Sequence, residues 1–247
     1  MNFLIKLSIT LKVVLCLFFL NDINAQTTYK VTYKVEPIIQ ESLDEESQKT
    51  KQLIKEIVAY AENINYILLA NKRESFFEEE KRLSKKNKNP LESVYAKGAK
   101  LFTKFNEELY SNFEEDSIIF VKEMLDENFV VKRSFHNLNW KIGSETKQIL
   151  GFQAKKAKGT YYYAPKDEEL EFEAWFVPSI PLNAGPDIFM GLPGLIVEVH
   201  LQKAVIKAMG INQKQDKSIN KPDAENAMSQ QEYEDLITKL NKKFINN

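Results

Sequence analysis

The sequence predicts an α+β fold that is mostly antiparallel β: a curved sheet or half-barrel with a helix near each end. Three observations carry this. Short stretches of alternating apolar and polar residues recur along the chain, separated by clusters of turn-forming residues. Two longer stretches, one in each half, switch to the 3.6-residue period of an amphipathic helix. From Trp175 to His200 the chain reads WFVPSIPLNAGPDIFMGLPGLIVEVH, which holds Pro178, Pro181, Pro186 and Pro193, half of the eight prolines. That density means a defined, turn-rich crossing between strands.

Taken in order, the chain opens with Lys6 and Lys12 around the apolar run Val13–Leu20, then small and polar residues. This is the pattern of a secretory signal peptide, with cleavage expected after Ala25. The run is too short to span a membrane. Leu15 stands before Cys16 where lipidation wants a small residue, so a lipid anchor is not expected. The expected location is exported: periplasmic or associated with the outer envelope. Cys16 is the single cysteine, so residues 26–247 would form one cysteine-free domain without disulfide, thiolate nucleophile or cysteine metal ligand. The formal net charge is −1 and becomes one charge more negative when Lys6, Lys12 and Asp22 leave. That balance argues against a nucleic-acid partner. No later segment is long and apolar enough to span a bilayer, so the protein is not expected to be membrane-spanning.

Residues 29–36 alternate cleanly and Pro37 ends them, giving a first strand. From Ser42 to Ala61, the residues Leu53, Ile54, Ile57, Val58 and Ala61 recur at helical spacing. Residues 65–70 and 74–80 form a hairpin around Asn71-Lys72-Arg73. Residues 83–90 are Lys- and Asn-rich and read as an exposed loop. Residues 91–105 suit a short helix, weakened by Gly98. Three strands follow, at 107–113, 117–124 and 128–135. The stretch 145–157 is read as one element, Lys158-Gly159 as a turn, and 160–164 and 169–177 as the next strands. In the Pro-rich stretch, the apolar residues between the turns are too many for a solvated loop, so it is read as folded down onto the sheet. Leu195, Val197, Val199 and Leu201 alternate with Ile196, Glu198, His200 and Gln202, which reads as a half-buried strand. A further strand covers 204–211 and a polar loop 213–227. Ser229 and Glu232 make an S-x-x-E capping box that opens a helix with Leu236, Ile237, Leu240 and Phe244 on one stripe.

The hexapeptide Gly191-Leu192-Pro193-Gly194-Leu195-Ile196 resembles the signature of the GLPGLI family of secreted bacterial proteins, whose function is not known. The resemblance extends to Gly185-Pro186, and upstream to Trp140, Glu145-Thr146-Lys147, Gly151-Phe152 and Lys156-Ala157. Many members carry a cysteine between the last two elements, where this chain has Ala154, so thiol chemistry of relatives is not implied here.

Catalytic patterns are absent. There is no H-E-x-x-H, no G-x-S-x-G and no phosphate-binding glycine loop. His136 and His200 are the two histidines. Glu198 and His200, at i and i+2, share a strand face, but two ligands do not make a metal site. No catalytic residue, metal or cofactor is assigned. Glu171 and Glu173 share a face and read as solvated. Asp187 reads as a turn cap. Tyr161, Tyr163, Trp175 and Phe189 gather in sequence around the Pro-rich stretch and are the candidates for lining a cavity. The sequence therefore points to a non-enzymatic envelope protein that binds an apolar small molecule or a partner protein or peptide. The alternative is a peptidase-like hydrolase with an unrecognised site.

Overall fold

The computed structural model describes residues 27–39, 47–80, 90–103, 105, 108–124, 127–135, 137–163, 168–214 and 218–245. The expected signal peptide, the 83–89 loop and His136 lie outside them.

One sheet of 12 strands holds the fold together. The strands are β1 (Thr28–Pro37), β2 (Tyr66–Ala70), β3 (Glu74–Glu79), β4 (Glu108–Asn112), β5 (Ser117–Met124) and β6 (Glu127–Ser134). Then come β7 (Lys141–Ile149), β8 (Phe152–Tyr163), β9 (Glu168–Val177), β10 (Leu195–His200), β11 (Ala204–Lys214) and the two-residue β12 (Met228–Ser229). Their spatial order is β12-β6-β5-β4-β3-β2-β1-β11-β10-β9-β8-β7. Two meanders, β2–β6 and β7–β11, therefore flank β1, and the sheet is not closed into a barrel. Every pairing is antiparallel except β12 with β6. Three helices accompany it among the described residues: α1 (Gln48–Glu62), α2 (Pro90–Thr103) and α3 (Gln230–Ile245).

The connection from β6 to β7 forces curvature. In a flat sheet their positions would lie roughly 48 Å apart, ten strand spacings of about 4.8 Å. The chain from Ser134 to Lys141 spans at most about 25 Å. The sheet must curl until its two meanders approach each other. Its inner face carries Val31, Tyr33 and Val35 of β1, Leu68 and Phe77, and Phe172, Ala174 and Phe176 of β9, all buried in one core with Ala61 of α1 and Ala99 of α2. Tyr66 stacks on Phe77 at 5.6 Å, and Phe105 meets both rings edge-on at 5.0 and 5.3 Å.

Three local readings change. Lys158-Gly159 is not a turn: β8 runs through it. Gly159 is needed because a Cβ would stand 2.5 Å from the Phe172 ring and 3.0 Å from the Leu138 carbonyl. The turn falls instead at Leu150-Gly151, both with positive φ (50° and 81°). Gly98 lies within α2 without breaking it and faces α1, where a Cβ would meet the Ile57 side chain at 2.7 Å. β10 is buried on both faces, not half-buried, with an irregularity between Ile196 and Glu198.

Candidate functional site

The 178–194 segment between β9 and β10 packs down against the inner face. Ile180, Leu182, Ala184, Phe189, Met190 and Leu192 are all buried. Backbone bonds fix its path: Gly191 N–H donates to Asn183 O (2.9 Å), Leu195 N–H to Ile180 O (3.0 Å) and Ile196 N–H to Ala184 O (2.9 Å). Trp140 Nε1 donates to Met190 O at 2.9 Å, and the buried Tyr33 hydroxyl to Ile196 O at 2.6 Å. Burial pushes the Tyr33 phenol pKa up, so it stays a donor. Gly194 has φ +157°, and a Cβ there would lie 2.5 Å from the Val177 carbonyl oxygen. At Gly185 the obstacle is Phe189 O, at 2.2 Å. Gly191 takes φ +92°. The tip crosses to the other meander: Ile188 and Met190 join Leu109, Ile118, Phe120 and Val131 in a second core. Asp187, buried with φ 49°, attracts Arg133 of β6. Pro186, Pro193 and the three glycines thus shape a plug that spans the curl of the sheet.

The four aromatic candidates separate. Phe189 is 3% exposed and meets Phe172 at 5.0 Å, with Tyr161 at 5.8 Å and Trp140 at 5.0 Å from the same ring. Tyr163 is the last residue of β8, where its backbone pairs with Glu168 of β9. Trp175 points to the opposite, outer face, where Lys147 Nζ lies 4.3 Å and Lys156 Nζ 5.9 Å from its ring centroid. Phe189 therefore packs inside the plug, and Trp175 is the floor of a charged surface.

The outer faces of the two meanders differ. That of β2–β5 is covered: Ile219 packs against Tyr110 and Ile119. That of β7–β11 is lined with charge. Lys156 bonds Glu173 at 3.0 Å and Glu145 at 3.5 Å, and Lys158 reaches Glu173 at 3.5 Å. These bonds, from Lys156 first, hold the Glu173 carboxyl below its ordinary range. Glu198, 7% exposed, accepts from Lys147 Nζ at 2.8 Å and contacts His200 Nε2. Burial raises its pKa, but Lys147 and His200 outweigh that and leave it lowered.

At one end of this surface lies a half-open groove of about 840 Å³. Its floor is Lys158 and Thr160 of β8 facing Glu173 and Glu171 of β9, with Glu169 beyond. One wall is Asn139 and Lys141, the other His200, Leu201 and Gln202. The Asn139 wall is pinned by Thr160 N–H donating to Leu138 O (2.9 Å) and Asn139 Nδ2 to Thr160 Oγ1 (3.0 Å). Of these residues, the sequence singled out His200, Glu171 and Glu173. The long-range wall contributed by Asn139 and Lys141 leaves no sequence signal. Among the described residues no group of three or more His, Cys, Asp and Glu comes together as a metal site, and no helix is long and apolar enough to cross a membrane.

A family model described as a protein of unknown function (Porph_ging) matches residues 162–198. The match covers β9, the plug and most of β10. No curated protein matches the chain. The solved structure of PNGF-II in a C2 space group superposes with a TM-score of 0.49 at 17% identity, over 86% of this chain. The chain spans 33% of the length of that structure.

Proposed function

We propose that this is an exported GLPGLI-family envelope protein that binds a partner protein or peptide in the outer groove and catalyses nothing. The apolar-ligand version of that reading loses support, because Ile188, Phe189 and Met190 occupy the inner side where such a ligand would sit. The single observation behind the partner reading is the groove itself: half-open, lined by charged side chains beside Phe172 and Leu201, and flanked by ion pairs that already orient those charges. Export and cleavage after Ala25 belong to the same proposal and rest on the signal-peptide pattern. The test is mass spectrometry of the protein purified from its native envelope, alongside Glu171→Trp, which fills the groove from an exposed strand position. A co-purifying protein or peptide that Glu171→Trp loses supports the reading. A co-purifying lipid that the variant retains contradicts it.

One observation favours a second reading. Glu198 holds the imidazole of His200 at the groove wall, the arrangement a hydrolase uses to orient a general base. Peptide hydrolysis by the wild type that His200→Gln abolishes would support this alternative.

A further inference from the structure

The C-terminal segment wraps around the β6 edge of the sheet. It crosses the outer face at Ile219, which is 7% exposed against Tyr110 and Ile119. It then runs beside β6 as β12, pairing two residues: Met228 with Val131 and Ser229 with Lys132. It finishes on the inner face as α3, where Tyr233 meets Phe120 edge-on at 6.2 Å. Met228 and Tyr233 cover the same small core that receives Ile188 and Met190 of the plug.

Its attachment is thin. No residue from Met228 to Lys239 is fully buried. Gln230 Oε1 is a buried acceptor with no hydrogen-bond partner, which disfavours the docked state. Its internal structure, by contrast, is self-sufficient. Ser229 N–H donates to Glu232 Oε2 at 2.7 Å and Glu232 N–H returns to Ser229 Oγ at 3.3 Å. The pairs Gln230–Glu234 and Gln231–Asp235 follow one turn apart, at 2.7 and 3.1 Å. An element with local bonds intact and few buried contacts opens below the global free energy of unfolding.

We propose that residues 228–245 are a strap that leaves the sheet as one unit while Ile219 stays anchored, uncovering the β6 edge and the tip of the plug. The hinge lies between Ile219 and Met228, a stretch that includes Pro222. Phe120 and Arg133 form its seat: the guanidinium lies 5.3 Å from the Phe120 ring centroid. Opening exposes an edge strand, which is a template for pairing with an extended segment. This inference concerns the opposite end of the sheet from the groove and stands without it.

Hydrogen exchange with mass spectrometry on the full chain tests it. Amides of residues 235–239 should exchange roughly 100-fold or more faster than those of β9 and β10. The β6 amides beside Met228 and Ser229 should open with them. Tyr233→Ala should speed both sets further, while the urea midpoint read by Trp140 and Trp175 fluorescence stays in place. Equal protection of α3 and β9 would overturn the proposal, as would a midpoint shift in Tyr233→Ala. Strap protection that rises with protein concentration would also overturn it, in favour of an exchange of α3 between copies.

Discussion

Glu198 sits almost out of water on β10, between Trp175 of β9 and Lys207 of β11, and it stays ionised because Lys147 and His200 bond it. A carboxyl whose folded pKa is depressed contributes stability above its unfolded pKa and loses it as the pH falls through the folded value. The stability gap between wild type and Glu198→Gln should therefore be widest near neutral pH and shrink as the pH drops below the ordinary carboxylate range. Urea midpoints measured across pH 7 to 3 check this; a gap independent of pH would contradict it. Gly194 makes the second residue-scale prediction. Its φ and the nearby Val177 carbonyl leave no room for a branched side chain. Gly194→Val should cost about 1–3 kcal/mol or more by urea melt. Leu195, fully buried beside it, should cost about 2–5 kcal/mol when cut to Ala. Unchanged midpoints in both would mean that the hexapeptide is not structural.

At the scale of elements, the α1–α2 contact gives a sharper test than either helix alone. Gly98→Ala gains up to about 1 kcal/mol of helix propensity, yet the new Cβ meets three atoms of Ile57 within 3.0 Å. The clash should win, and Ile57→Ala in the same chain should relieve it, giving a positive coupling in a double-mutant cycle of thermal melts. Two additive effects would show that the helices are not in contact there. Elements were legible where the pattern is local. The alternation of 29–36, the hairpin at Asn71-Lys72-Arg73 and the Ser229–Glu232 capping box all appear in the fold. Gly159 was misread because Lys-Gly looks like a turn, while its reason lies across the sheet in Phe172. The reason for a glycine inside α2 is equally remote in sequence, since Gly98 faces Ile57 of α1.

For the whole molecule, the curled sheet and its plug set which faces are filled among the described residues. The inner side is taken by the chain's own Ile188, Phe189 and Met190, and the outer face of β2–β5 by Ile219. The groove between Asn139 and His200 is half-open. Its β8–β9 floor was partly legible, since Glu171 and Glu173 alternate with Leu170 and Phe172. Its walls were not, because β7, β8, β9 and β10 meet there only through the topology of the sheet. Site-specific photo-crosslinking in the native envelope tests the groove directly. A photoreactive residue at Glu171 or Gln202 should give a discrete adduct with a partner protein. The same residue at Met209, 54% exposed on β11, should give none. Adducts of equal yield from Met209, or none from Glu171 and Gln202, would contradict the groove as the binding site.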